Sequence, residues 1–485
     1  MAKYNYDKSK LKGLTPFPFL GEVKTRTKHI EAADTTLPKS VYNPNILAAK
    51  LHPHVQFTKI AKVIDHGDAK SFVFVPDESK GTKSLAYFRA GQYVSLALDM
   101  DGVTANKPYS LCSSPKDALG DENTSYTLTV KHGKGAQGGE YILSHFDVGT
   151  EVLMSGPLGN FYYQDLRDAG HVVALAGGSG ITPFFSMAGA IADGIEDFDL
   201  TILYGSRTHD SILLKDELDA VAARSNGRVK VVHVLSDEAV EGYEHGFITA
   251  DIIRKYAGSD DSVVVCGPKA MYDFLRGEIA KLGLPERRVR FELSGEFGDP
   301  AQDERYPAEA CGKEFTVTVW IRGEKTTVPC RANQSLLRAM EDAGIRVPSD
   351  CRSGECGWCH SRLIAGRVFV PESADGRRMA DKKFGWIHPC NTYALIDVEL
   401  EVFPLIGQVI IYGWSKAYRA IHTPAGQYTG VYKIRTSARR AEVRILGFDF
   451  YERRLLSGAC LSYDFLANHE KVMGQTTIAA STTRK

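Results

Sequence analysis

The sequence predicts a multidomain chain: an antiparallel β-barrel, then an α/β domain on a parallel sheet, then a small α+β domain of sheet and helix. Three observations carry this. Short alternating runs separated by Gly, Pro and Asp fill 53–168, strand-like and helix-like runs alternate over 169–300, and four cysteines of distinctive spacing fall within 312–404.

The composition sets outer bounds. The chain has 485 residues, 43% hydrophobic and 24% charged, without a run of eighteen apolar residues, so about three domains and no membrane span are expected. A formal net charge of zero calls for neither nucleic acid nor an anionic membrane. The start, MAKYNYDKSKLKGL, has lysines but no apolar core, so no secretory signal is read there. Nine cysteines are too sparse for a disulfide scaffold, and a cytoplasmic setting is the expectation.

Residues 1–52 lack periodic pattern and are read as an N-terminal extension without assigned chemistry. The barrel follows at 53–168, with FTKIAKVIDHG, KSFVFVPD, QYVSLALDMDG, SYTLTVKHG and TEVLMSGPLGNF as its strands. Two stretches in it are too particular for strand filler: Lys107-Pro108-Tyr109-Ser110, preceded by Gly91-Gln92-Tyr93, and Gly138-Gly139 at the start of a helix ending near Ser144.

From 169 to 300, HVVALAGG, DLTILYG, VKVVHVL, DSVVVCG and RVRFEL read as continuous apolar strands joined by helices. Such a parallel sheet is covered on both faces and binds its ligand at the strand carboxyl ends. The informative residues fall there. Gly177-Gly178-Ser179-Gly180-Ile181-Thr182-Pro183 follows the first strand, where glycines let backbone approach phosphate oxygens, Thr182 is expected to cap and Pro183 suits the first helical turn. Ser206-Arg207 follows the second strand and Cys266-Gly267 the fourth.

In 312–404, FTVTVWI turns at Gly323 into a hairpin partner, and Asn333 is expected to cap the helix QSLLRAMEDA, stopped by Gly344 and Pro348. Then comes DCRSGECGWCH. Cys351, Cys356 and Cys359 give C-x4-C-x2-C, and Cys390 stands alone some thirty residues on. A structural zinc site usually shows two C-x2-C pairs or Cys/His mixtures. The spacing here is that of a [2Fe-2S] cluster held by four thiolates, with Gly354 and Gly357 letting backbone amides approach the sulfurs. Trp358 is read as either bordering the cluster or packing.

With these motifs in place, 312–404 resembles plant-type ferredoxins of β-grasp fold, and the two preceding domains resemble the ferredoxin-NADP reductase superfamily. The order of the parts resembles the electron-transfer components phthalate dioxygenase reductase, ketosteroid hydroxylase reductase and hybrid-cluster-protein reductase. The resemblance implies that Tyr109 packs on the isoalloxazine, with Pro108 beside it. It also implies that Ser110 lies near the reactive ring nitrogen and that Lys107, where the family usually has Arg, meets the flavin phosphate as a point charge. Gly138 and Gly139 match the family's phosphate turn, and FAD is the expectation; Ile142 stands where a serine is usual, which leaves FMN possible. Gly178 and Thr182 are implied at the pyrophosphate and nicotinamide, Ser206 and Arg207 near the adenosine ribose, and Cys266 and Gly267 at the nicotinamide. Ser110 and Cys266 are the residues implied in catalysis. NADH against NADPH stays open, with NADH the expectation.

The function so implied is an NAD(P)H-dependent reductase passing hydride to flavin and single electrons through the cluster to a protein acceptor, an oxygenase component or other redox metalloprotein. The competing reading is a non-catalytic redox sensor whose cluster state controls partner binding. The tail, 405–485, holds 12 Lys/Arg against 5 Asp/Glu and is read as a solvated accessory segment, since no binding motif accompanies the charges.

Overall fold

The computed structural model describes residues 25–29, 31, 32, 43–100, 102–120, 122–133, 137–292, 295–403, 434–437 and 440–443. Residues 1–53 form one unit and 54–485 another. In the first, Asn43–Leu51 is helical. The readings of the extension and tail otherwise fall mostly outside the described residues, although Ile434–Ser437 and Arg440–Val443 pair as antiparallel strands. Among the described residues, no helix is long and apolar enough to cross a membrane.

In the second unit the first sheet is antiparallel, with strands β1 Gln56–Asp65, β2 Ala69–Pro76, β3 Tyr93–Met100, β4 Val103–Ser110, β5 Tyr126–Lys131 and β6 Glu151–Met154. Their order is β4-β3-β6-β1-β2-β5, which leaves β4 as an edge in the ladder. Alternation puts Phe72, Phe74, Leu96, Leu98, Leu128 and Met154 into one core under the helix Gln137–His145, which adds Ile142. Each such side chain contributes about 1.5–3 kcal/mol when fully buried.

The second sheet is built from β7 His171–Gly177, β8 Asp199–Ser206, β9 Val229–Leu235, β10 Glu244–His245, β11 Ser262–Cys266 and β12 Val289–Phe291. It is parallel throughout, in the order β10-β9-β8-β7-β11-β12. Its central strands are buried on both faces, β7 and β8 between two apolar clusters, as their uninterrupted apolar runs require. The strand order reverses between β7 and β11, so the loops after those two strands face each other across the crevice where such sheets take ligands.

The third sheet takes β13 Glu314–Ile321, β14 Glu324–Arg331, β15 Ser361–Ala365, β17 Trp386–Ile387 and β19 Val398–Val402 in the order β14-β13-β19-β15-β17. A small pair, β16 Val368–Phe369 with β18 Tyr393–Ala394, stands beside it. The hairpin turns at Arg322 and Gly323, both at positive φ. The helix covering this sheet runs Leu336–Asp342, capped by Ser335, whose hydroxyl accepts from the Arg338 amide at 3.2 Å. The expected cap at Asn333 was two residues early, because Ser335 offers an equally good capping oxygen closer to the first buried leucine.

Candidate functional site

Strand β4 carries Lys107, Pro108, Tyr109 and Ser110, paired with Leu96, Ser95, Val94 and Tyr93 of β3. Gly138 and Gly139 open the helix Gln137–His145 against it: a Cβ on Gly138 would stand 2.9 Å from Lys107 Cγ. The stem of Lys107 therefore packs against the start of that helix, and a helix N-terminus is suited to a phosphate. Burial, and then the nearby Arg352 cation, lower the Lys107 pKa to about 8. Burial also holds the Tyr109 phenol above its ordinary value. Gly91 sits at φ +100, and a Cβ there would approach Phe161 O to 2.7 Å, which fixes the turn leading into Tyr93.

Across the parallel sheet, the loop after β7 and the loop after β11 pack backbone to backbone. A Cβ on Gly180 would lie 2.2 Å from Cys266 O, one on Gly177 2.4 Å from Met271 Sδ, and one on Gly267 2.6 Å from the same sulfur. Glycines are needed here for close approach of two loops as well as for phosphate access. Thr182 is the first residue of its helix instead of its cap; Gly178–Ile181 form a tight 3-10 turn, and Thr182 Oγ1 donates to Ser179 O at 3.0 Å. At the end of β8, the Ser206 hydroxyl is buried with no hydrogen-bond partner among the described residues, and Arg207 follows it. A buried hydroxyl is rarely left unpaired, so Ser206 fits a ribose or phosphate ligand.

Cys266 is buried, and burial followed by the carboxylate of Glu292 keeps its thiol strongly protonated. Glu292, immediately after β12, is pushed up to about 7 by burial, with Glu355 adding to the rise and Cys266 and Arg290 opposing it. Tyr272 Oη donates to the Glu292 carbonyl and accepts from the Gly267 amide. Sequence reading missed Glu292, although its place at a strand carboxyl end was the signal that singled out Cys266.

Cys351, Cys356, Cys359 and Cys390 converge. Ser353 N and Cys356 N donate to Cys351 Sγ at 3.4 and 3.3 Å, and Trp358 N donates to Cys356 Sγ at 3.5 Å. Cys359 Sγ and Cys390 Sγ are 3.4 Å apart, too far for a disulfide of about 2.05 Å. The Cys356 thiol, with the Ser353 side chain and the Ser353 and Cys356 amides, draws Cys351 down to about 5 against its burial. Gly354 and Gly357 have φ of +83 and +74, and a Cβ on Gly354 would stand 2.3 Å from Ala374 O. Four thiol donors in one loop-and-anchor cradle, with backbone amides aimed at their sulfurs, fit a diiron cluster.

The cluster loop is seated on the flavin-side strands. Asn106 Nδ2 donates to Ser349 O at 2.6 Å and Ser95 Oγ to Asp350 O at 3.4 Å. Tyr93, facing Ser110 in the ladder, has its phenol held protonated by burial and then by Cys356 and Cys351, so it lies within electrostatic reach of both sulfur ligands. No sequence pattern signalled these contacts, which join residues about 250 positions apart.

Comparison with known proteins agrees with this layout. Family models described as the oxidoreductase FAD-binding domain, the oxidoreductase NAD-binding domain and the 2Fe-2S iron-sulfur cluster binding domain match residues 64–163, 174–277 and 319–395. The chain is 32% identical over 329 residues to the ferredoxin reductase component of 3-ketosteroid-9-alpha-monooxygenase from Mycobacterium tuberculosis, covering 66% of this chain and 87% of that protein. It is 30% identical over 354 residues to the component of the same name from Rhodococcus rhodochrous, covering 71% and 95%. The solved structure of phthalate dioxygenase reductase superposes with a TM-score of 0.51 at 26% identity, covering 72% of this chain and 98% of that one.

Proposed function

Since the chain belongs to the ferredoxin-NADP reductase superfamily of electron-transfer components with a C-terminal plant-type [2Fe-2S] domain, we propose that it is the reductase component of an oxygenase system. It is an NAD(P)H-dependent oxidoreductase with FAD-, NAD- and [2Fe-2S]-binding domains. We further propose NADH as its reductant and the oxygenase component as its acceptor. The observation that carries the reading is the seating of the cysteine loop on β4 through Asn106 and Ser95, which puts the cluster cradle beside the strand bearing Tyr109 and Ser110.

When bound, the flavin would accept a hydride from the nicotinamide and a [2Fe-2S] centre would carry one electron at a time. The chain supplies placement. In this reading Tyr109 and Pro108 bound the flavin ring, Ser110 offers a hydroxyl beside it, and Lys107 with Gly138 and Gly139 takes its phosphate. Gly178 and Thr182 lie against the nucleotide pyrophosphate, and Ser206 and Arg207 against the ribose. Cys266 and Gly267 border the nicotinamide, and Glu292 keeps a proton beside the Cys266 thiol. Cys351, Cys356, Cys359 and Cys390 hold the irons. NADH is favoured by Glu238, whose carboxylate accepts from the His209 amide just past Arg207. An acidic side chain bordering that turn opposes a 2′-phosphate.

The test is steady-state turnover with NADH and NADPH, first with ferricyanide and cytochrome c and then with a purified oxygenase component. Reduction of both small acceptors, NADH preferred, and electron delivery to the oxygenase are expected. A cofactor-loaded protein that turns over no acceptor would instead support the redox-sensor reading.

A further inference from the structure

We propose that Arg352, clamped by Glu296 and Glu341, is a positioning residue that fixes the cluster loop on strand β4 and so sets electron transfer from flavin to cluster. This rests on the functional reading above.

Arg352 is the largest fully buried side chain among the described residues, 2% exposed, and lies next to the ligand Cys351. Its guanidinium has five N–H donors in a fixed fork, and each finds an acceptor. Nε donates to Glu296 Oε1 at 2.8 Å, and Nη2 to Glu296 Oε1 and, at 2.7 Å, to Glu341 Oε2. Nη1 donates to Glu341 Oε1 at 2.7 Å and to the Asn106 carbonyl at 3.3 Å.

These acceptors belong to three parts of the chain. Glu341 is on the helix of the ferredoxin-like domain, Glu296 lies between β12 and β13, and Asn106 is on β4. An arginine serving only its own domain would need Glu341 alone. The Glu296 and Asn106 contacts tie the cluster loop to the segment leaving the nucleotide domain and to the flavin strand.

Two further features mark the clamp as built. Arg352 holds φ +56, in the left-handed region that a residue with a Cβ adopts only when its surroundings over-determine it. The clamp also sits among cations. One guanidinium between two carboxylates leaves an excess negative charge, and both Lys107 and Arg338 lie within electrostatic reach of it. The cation assigned to the flavin phosphate therefore shares an electrostatic neighbourhood with the clamp. Lysine in place of Arg352 would keep the charge and lose the fork.

Glu296→Gln is the deciding variant, because it breaks the clamp outside the ferredoxin-like domain; Arg352→Lys is its companion. Full flavin and cluster content, an unchanged paramagnetic signal of the reduced cluster and unchanged NADH-ferricyanide turnover are expected for Glu296→Gln. In stopped flow its flavin-to-cluster transfer is expected to slow several-fold. Hydrogen exchange over 103–110 and 349–353, measured without NADH, is expected to quicken. Wild-type transfer rate and wild-type exchange in a fully loaded Glu296→Gln protein would overturn the proposal. A wild-type protein that binds no flavin or cluster would overturn the functional reading instead, and the exchange comparison would still decide the clamp. If Arg352→Lys fails to assemble a cluster, Glu296→Gln alone decides.

Discussion

Glu292 keeps its proton where an exposed carboxylate would lose it, and the sign of the consequence is fixed. Its folded value, about 7, lies above the ordinary 4.5, so the folded state binds the proton more tightly than the unfolded state. The stability this contributes is complete below about 4.5 and is lost as pH rises toward 7. Glu292→Gln, neutral throughout, should gain in Tm relative to the wild type between pH 5 and pH 8. Parallel Tm profiles would show that the carboxyl ionises freely. At Tyr109, loss of the ring should lower flavin retention, and Tyr109→Ala with unchanged flavin content after gel filtration would remove the residue from the flavin site. Arg207→Ala tests the ribose turn. In the proposed NADH reading, with Glu238 opposing a 2′-phosphate, the KM values for NADH and for NADPH should change by similar factors. Selective loss of NADPH use would mean that Arg207 was holding that phosphate.

The cluster loop and the two nucleotide loops show what an element demands of its residues. Gly354 combines a φ of +83 with a site where a Cβ would meet Ala374 O at 2.3 Å. Gly354→Ala should therefore lose most cluster absorbance while flavin content and ferricyanide reduction persist, the strained backbone alone costing about 1–3 kcal/mol. A normally loaded Gly354→Ala protein would show that the loop is more forgiving than its geometry. These glycines were legible in the sequence, as were the strands, the Gly-rich turn and the four thiols, because each belongs to a local pattern with a fixed period or spacing. Thr182 and Asn333 show the limit. Both were read as helix caps from residue type, yet a 3-10 turn took the first role and Ser335 the second. Several residues of capping type stood within two positions, and only packing chooses among them.

At the scale of the whole molecule, strand order turns separate motifs into one path. The reversal between β7 and β11 faces Gly177–Gly180 toward Cys266 and Gly267, and the edge position of β4 leaves it free to receive Ser349 and Arg352. The division into barrel, parallel sheet and ferredoxin-like domain followed from periodicity. The docking of the third on the first did not, since Asn106, Glu296, Glu341 and Arg352 share no spacing and look like ordinary polar residues in the sequence. Glu292 was hidden for a related reason: a carboxylate ending a strand gains meaning only when Cys266 is seen beside it. The central claim is that electrons enter as a pair at the flavin and leave singly through the four-cysteine centre. Its most direct test is an anaerobic NADH titration of the wild type and Cys356→Ser, followed by visible absorbance and low-temperature paramagnetic resonance. The wild type should bleach in both flavin and iron-sulfur bands and develop a reduced-cluster signal, whereas Cys356→Ser should bleach only the flavin band, keep ferricyanide reduction and lose cytochrome c reduction. A wild-type protein that bleaches its flavin without a cluster signal, or a Cys356→Ser protein that reduces cytochrome c at the wild-type rate, would contradict it.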